Sequence, residues 1–402
     1  MANMPRFLIL LAFTASLGVQ AAGVPTPLLK NRRPVDWWVV FKFNAGSFPG
    51  CAGAAKVACP FGGTPQSYTS FSQQFVFASS ANHTLQLGSV CAGDTANDPL
   101  GATFAQIFKG KYFFVLWNDQ FYGDPMASKS SPAGHSKGAL VWNSAGNGFV
   151  LQVSTPSWPG SGSSKNPRRT DGNTLGCVED NNVLVSQHFF ALKLAKSDVV
   201  AVLKALANSS VVTDPAKPEL VRNGGPADIQ NLVSGLGKVA GSTMATWEAL
   251  SSGVGLISKP SNMNVPPWQM VSAMLGGEPL RVATWWASPK IPATAAGAAI
   301  ACWDDSLGKP GAVEIATSGV WAGTPIGLQG TPTPNGNHAK IGVSTGLRPY
   351  TIFGDLNQQG SLSGPNCGSS QNGRGGLFFV LQDQQLHDAI GSLIAGESAP
   401  AD

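Results

Sequence analysis

Charge is what this sequence has least of. Asp, Glu, Lys and Arg make up 12% of its 402 residues, about half the usual globular share. Lys plus Arg number 26 against 22 for Asp plus Glu, so the net charge is +4, too small to announce a polyanion-binding tail. There is no CxxC pair, and no Cys/His cluster has the spacing of zinc ligands. No apolar run reaches the ~20 residues of a membrane-spanning helix, which excludes a polytopic membrane protein. With 48 Gly and 29 Pro, the chain is too interrupted for a coiled coil or helix bundle, and not rich enough in either for a collagenous or disordered one. What is present is apolar and aromatic: 43% of residues are hydrophobic, including 20 Phe and 11 Trp, ample for a core of one large or two ordinary domains.

The N-terminus reads as an export signal. Met1 to Arg6 carries one positive charge, residues 7–18 are apolar, and Val19-Gln20-Ala21 has the form of a cleavage site. Residues 1–21 are therefore set apart from the fold. Export suits the six cysteines, Cys51, Cys59, Cys91, Cys177, Cys302 and Cys367, whose even number suggests disulfides with 15 possible pairings.

The remainder reads as two similar halves, residues 22–210 and 228–402, joined by a polar, Pro- and Gly-rich linker over 211–227. Runs rich in β-branched and aromatic residues predict strands at 35–43, 112–117, 139–142 and 149–154 in the first half, and at 280–286 and 350–353 in the second. Helices are predicted over 197–207 with Ser197 as N-cap, from Pro267 to Leu275, and from Asp383 to Ala395. Strands interleaved with helices give an α/β or mixed α+β fold.

One short pattern occurs in each half. His135-Ser136-Lys137 is followed 19 residues after the histidine by Ser154, and His338-Ala339-Lys340 is followed at the same distance by Asn357. In an extended segment, residues i and i+2 point to one side, so each motif can aim an imidazole and an ammonium at one small anion. Lysine supplies a compact charge for phosphate oxygens. A neutral imidazole can attack phosphorus while a protonated one protonates the leaving oxygen. Two copies thus supply a nucleophile, an acid and two cations around one phosphodiester, with no cofactor or metal required. The other histidines have blander readings: His83 lies in a sequon, His188 precedes two phenylalanines, and His387 lies on the closing helix. Trp37-Trp38 reads as core and strand edge, and residues 157–171, with Lys165, Arg168, Arg169 and nearby Trp158, either as a solvated flexible loop or as one that reaches a substrate groove.

The sequence resembles the deoxyribonuclease II family, a branch of the phospholipase D-like superfamily. The matching segments are Pro34 to Val40, Trp117-Asn118-Asp119-Gln120, Gly134 to Gly138, Gly148 to Ser154 with Pro156, and Gly172 to Leu175 before Cys177. In the second half they are Asn337 to Lys340, Gly354-Asp355-Leu356-Asn357 and Arg374-Gly375-Gly376. They run in family order over nearly the whole mature chain.

The resemblance implies a pseudo-dimer of two phospholipase D-like units, each a central sheet flanked by helices, with the active site between them. It implies an acid endonuclease, secreted or lysosomal, that cuts DNA without metal through a phosphohistidine and leaves 3′-phosphate ends. His135 and His338 become the catalytic pair, Lys137 and Lys340 the phosphate ligands, and Asn357, Asp355, Asp119 and Arg374 the substrate-binding set. The wider superfamily places an Asp seven residues after each motif histidine; those positions here are Trp142 and Thr345, so Asp119 and Asp355 are the candidates for orienting the imidazoles. The competing readings are a phosphodiesterase acting on lipid and a non-catalytic secreted binding protein. Export is checked by N-terminal sequencing of the secreted protein, which should begin close to residue 22; a mature protein starting at Met1 or Met4 would refute the signal.

Overall fold

The computed structural model of the chain describes residues 23–51, 70–93, 98–109, 111–123, 125–156, 158 and 183–401. Eight strands lie in the first part of the chain: β1 (Trp37–Lys42), β2 (Phe75–Ser79), β3 (Asn82–Leu87), β4 (Phe113–Asn118), β5 (Lys137–Trp142), β6 (Gly148–Val153), β7 (Gln187–Leu194) and β8 (Val221–Arg222). Helix α1 (Pro99–Lys109) precedes β4 and α2 (Lys196–Asn208) follows β7. After α3 (Ala227–Ser234) come β9 (Thr246–Ala249), β10 (Gly255–Lys259), α4 (Pro267–Met274), β11 (Leu280–Ala283) and β12 (Val313–Ile315). A separate hairpin of β13 (Ser318–Trp321) and β14 (Thr324–Gly327) precedes β15 (Ile341–Ser344), β16 (Tyr350–Gly354), β17 (Gly376–Gln382) and α5 (Gln384–Leu393).

The strands form two large sheets, in the orders β3-β2-β1-β7-β6-β5-β4-β8 and β12-β11-β15-β16-β17-β10-β9. Within them one pattern occurs twice. The run β1-β7-β6-β5-β4 has the same chain order as β10-β17-β16-β15-β11, and every neighbouring pair in both runs is antiparallel. A helix enters before β4 and before β11, and another leaves after β7 and after β17. Antiparallel ladders with helices to the side make this a mixed α+β fold. Among the described residues, no helix is long and apolar enough to cross a membrane.

The central strands explain their own burial. β5 and β6 are buried at every position and β7 at all but one, so these are sheet interiors covered on both faces, which is why they read as continuous rather than alternating apolar runs. Phe190 of β7 stacks on Phe353 of β16 with centroids 4.9 Å apart and leans on Phe379 of β17 at 5.3 Å. A single hydrophobic cluster accordingly contains residues of both large sheets.

Local departures from the sequence reading have plain causes. Helix α2 begins at Lys196, with Asp198 accepting the Ala195 N–H at 3.0 Å, so Ser197 lies inside the first turn instead of capping it. Strand β11 stops at Ala283, because Trp285 and Trp286 leave the sheet for other surroundings. Residues 211–227 contribute β8 to the edge of the first sheet, and Val211, Val212, Leu220 and Val221 are buried. Trp158 is fully buried against Phe104 and Phe189, held by the aromatic core and not offered to a ligand; Lys165, Arg168 and Arg169 lie outside the described residues. Disulfides join Cys51 to Cys91 and Cys302 to Cys367, while Cys59 and Cys177 lie outside the described residues.

Two buried lysines were not foreseen. Lys42 ends β1 and Lys259 ends β10, the corresponding places of the two runs. The Lys42 ammonium donates to the carbonyls of Phe43 and Ser72 at 2.9 and 3.0 Å, and that of Lys259 to those of Pro260, Asn372 and Arg374 at 3.3, 2.7 and 3.0 Å. Burial lowers both to about 7.

The packing of Phe190 between the sheets gives a stability test. Phe190→Ala should destabilise the protein by about 3–5 kcal/mol, the usual cost of deleting a buried phenylalanine, read as a lower midpoint in urea unfolding.

Candidate active site

Both His-x-Lys motifs lie at the mouths of corresponding strands: Lys137 opens β5, and Lys340 immediately precedes β15. Each histidine is held by the other part of the chain. The His135 N–H donates to the Gly375 carbonyl at 2.8 Å, just before β17, and the His338 N–H donates to the Ser186 carbonyl at 2.8 Å, just before β7. The first exchange needs glycine. A Cβ on Gly134 or Gly375 would sit 2.3 or 2.2 Å from the Ser209 carbonyl oxygen, so the segments can meet only where side chains are absent.

Between the motifs is a cleft of about 180 Å³. Gln120, His135, Ser154 and Pro156 line it from one side, and Trp285, His338, Lys340 and Asn357 from the other. His135 and His338 thus reach one cleft from motifs 203 residues apart in sequence. Of the remaining residues singled out by sequence, Lys137, Asp119, Asp355 and Arg374 stand behind this wall.

Asp119 is buried and ion-paired: Lys137 Nζ lies 2.6 Å from its Oδ1 and Arg374 Nη2 lies 3.0 Å from its Oδ2, the second a charge contact without hydrogen-bond alignment. Burial alone would raise its pKa, but Lys137, His135 and Arg374 hold it well below the usual carboxylate range. Arg374 also donates to the carbonyls of Ala133, Gly134 and Lys129 at 2.9, 2.8 and 3.1 Å, which fixes the segment leading into His135. In this arrangement Asp119 orients Lys137 and not an imidazole, and Arg374 is committed to the loop and to Asp119.

The imidazoles are held differently. His135 Nδ1 lies 2.9 Å from the main-chain carbonyl of Asp355. A carbonyl only accepts, so Nδ1 carries the proton and Nε2 presents its lone pair. Lys137 Nζ approaches that Nε2 at 3.5 Å. Asp355 therefore orients His135 through its backbone, while its carboxylate accepts the Leu377 N–H at 2.8 Å and the Gln152 side chain at 3.1 Å. His338, half-buried, has its Nδ1 3.3 Å from Gln187 Nε2, and the Gln187 oxygen is held by Ser154 Oγ at 2.5 Å. Trp285 meets the His338 ring edge-on with centroids 4.2 Å apart. Burial first, then Lys137, lowers His135 well below the ordinary histidine value, with Asp119 partly opposing; burial first, then Lys340, lowers His338.

The ladders revise one correspondence. Gly138 faces Gln152 and Ile341 faces Phe353, so with the motif lysines superposed the second hairpin closes two residues sooner. Ser154 then corresponds to Asp355, not to Asn357. Their bonds agree, since Ser154 Oγ accepts the His188 N–H at 2.9 Å just as Asp355 Oδ2 accepts that of Leu377. Asn357 lines the cleft with its amide donating to Gln359 at 2.8 Å and its Oδ1 buried without a hydrogen bond.

Gln187, Ser154 and Trp285 were missed as site residues. His188, read as a packed residue, is buried and stacked near Phe353, and its Nδ1 also accepts the Lys340 N–H at 3.1 Å. His83 pairs with Asp383 at 2.5 Å, and His387 contacts the Ser344 carbonyl at 2.8 Å. Among the described residues, no group of three or more His, Cys, Asp or Glu is placed to hold a metal ion.

Two largely antiparallel sheets that exchange backbone bonds at paired His-x-Lys motifs define a mixed α+β protein with a small cleft between those motifs. Residues 27–213 match the family model of deoxyribonuclease II. The chain is 29% identical over 154 residues to deoxyribonuclease-2-alpha of Rattus norvegicus, an alignment covering 36% of this chain and 39% of that protein. Over residues 27–213 the chain is thus similar to the deoxyribonuclease II family.

Burial pushes the Asp355 carboxyl up to about 7. Its folded value thus exceeds the ~3.9 of an unfolded aspartate, and the folded protein holds a proton the unfolded chain has lost. That contribution to stability is complete below pH ~4 and disappears as pH rises through ~7. Asp355→Asn mimics the protonated form. Urea unfolding should find the variant similar to wild type near pH 4 and more stable than it near pH 8; the reverse order would refute the assignment.

Proposed function

We propose that the protein is an exported endonuclease that hydrolyses DNA phosphodiester bonds at acid pH without a divalent metal. The two lobes act as phospholipase D-like units whose shared cleft holds one phosphate. The observation that carries this reading is that His135, His338 and Lys340 line one cleft, with Lys137 directly behind His135. The similarity of residues 27–213 to deoxyribonuclease II supports DNA as substrate.

The unequal settings of the imidazoles support unequal roles. The neutral His135 presents its Nε2 lone pair, fixed by the Asp355 carbonyl, and attacks phosphorus as the P–O5′ bond breaks. His338, as imidazolium, gives its proton to the departing 5′ oxygen. Neutral His338 then takes a proton from water as the water oxygen bonds to phosphorus and the P–N bond breaks, which leaves a 3′-phosphate and restores both histidines. Gln187 suits this cycle, because a carboxamide can turn either its oxygen or its NH2 towards Nδ1 and so match the charged or the neutral ring. Ser154 Oγ can pair with whichever end of the amide faces it. Lys340 and Lys137 offset the phosphate charge, Lys137 being steadied by Asp119 and indirectly by Arg374. Asn357 lines the cleft, and its role in this reading is to donate the second hydrogen of its NH2, the first being held by Gln359, to a phosphate oxygen.

The direction of both histidine shifts favours acid conditions. A lowered His135 stays neutral, and therefore nucleophilic, at acid pH. A lowered His338 becomes protonated only as pH falls, so the competent pairing of one neutral and one charged ring grows below neutrality. Plasmid nicking in EDTA should persist and rise from pH 7 towards pH 5, and His135→Ala and His338→Ala should each lose at least ~100-fold in rate while still binding DNA. Activity abolished by EDTA and restored by magnesium, or either variant with a near-normal rate, would refute the mechanism. Hydrolysis of a phospholipid supplied under the same conditions, with plasmid DNA left uncut, would favour the lipid-directed reading.

A further inference from the structure

Trp285 and Trp286 are adjacent in sequence and differ in setting. Trp286 is core: it is buried, its indole N–H donates to the Ile291 carbonyl at 2.7 Å, and the Lys290 ammonium covers its ring at 4.1 Å from the centroid. Trp285 turns the other way, lines the cleft and stays half-buried. Of the residues lining that cleft, Gln120, Trp285 and His338 are the ones not fully buried, so they form the rim an incoming strand meets. Pro156 supplies an apolar surface from the opposite lobe. Acid–base and phosphate chemistry at the two motifs has no use for an indole. A large flat aromatic surface beside the phosphate position does have a use when the substrate carries flat aromatic groups on each side of its phosphate, since bases stack on aromatic side chains in a sequence-tolerant way.

We propose that Trp285 forms a nucleobase subsite, stacking on an unpaired base next to the phosphodiester held by the motif histidines. The proposal rests on the nuclease reading and extends it to the state of the substrate. A base can reach the indole only when it has left its own stack, so the site takes single-stranded or locally opened DNA. Trp285 also touches the ring of His338, so a stacked base bears on the imidazole and places the scissile bond against it. The indole is thus a substrate-binding residue and, through His338, a positioning one.

The test compares two single-stranded oligonucleotides, one with all its bases and one with tetrahydrofuran abasic residues flanking a central phosphate. Their affinities are measured by fluorescence anisotropy on full-length His135→Ala protein, alone and combined with Trp285→Ala or Trp285→Phe, so that binding is read without turnover. The Trp285-containing protein should prefer the base-bearing strand by about 5- to 150-fold, the range for one stacked base. Trp285→Ala should bring that ratio close to one, and Trp285→Phe should retain most of it. A merely structural role would weaken both oligonucleotides alike and leave the ratio unchanged, which would overturn the proposal, as would a ratio near one with Trp285 intact. A Trp285-dependent preference in a protein that cuts neither strand as wild type would uphold the subsite and overturn the hydrolytic reading.

Discussion

The site depends on two backbone hydrogen bonds that cross from one lobe to the other. The amide of His135 is held by the carbonyl that leads into β17, and the amide of His338 by the carbonyl that leads into β7. Each motif histidine is therefore held by the partner sheet as well as by the strand its own motif leads into. Backbone groups in such a place cannot be left unpaired without a cost of about 1–3 kcal/mol each, so the exchange both closes the lobes and sets the spacing of the imidazoles. The glycines at 134 and 375 and the arginine clamp from Arg374 follow from it, because the crossing segments must approach closely and then be kept from sliding.

Once the two histidines share a cleft, electrostatics separates them. Three cations, Lys137, Lys340 and Arg374, lie near His135, and Asp119 is the buried anion balancing the first and last of these. His135 is anchored by a main-chain carbonyl with a fixed polarity. His338 faces a side-chain amide with two. The scaffold repeats itself, and the difference between the lobes comes down to which group occupies the position opposite each Nδ1.

Much of this was legible in the sequence. The paired motifs, the strands around them and the closing helix stand out because their signals are local: a two-residue spacing, runs of β-branched and aromatic residues, and apolar residues Leu386, Ile390 and Leu393 recurring near one helix face. What could not be read depends on contacts between distant segments. Gln187 is an ordinary strand residue until the fold places it 3.3 Å from His338, 151 positions away. Asp355 was singled out for its carboxylate, yet it meets His135 through its carbonyl, a group that every residue carries and no sequence distinguishes. The equal spacing of Ser154 and Asn357 from their histidines pointed to the wrong pair, since a hairpin shorter by two residues moves the correspondence to Asp355 with no trace in composition. Trp285 and Trp286 read as the end of a strand because aromatic residues favour strands; the turn that sends one inward and the other to the cleft is a property of the packed lobes.

Lys42 and Lys259 carry a consequence for the charge of the interior. Each is an ammonium buried in the interior and held by backbone carbonyls, with no carboxylate paired to it among the described residues, and burial lowers each to about 7. In an acidic compartment both are charged. As the pH rises through about 7, the interior loses up to two positive charges. The positive field inside the scaffold is thus stronger where the surroundings are acid, and among interior groups salt screens it less than it screens contacts between exposed charges.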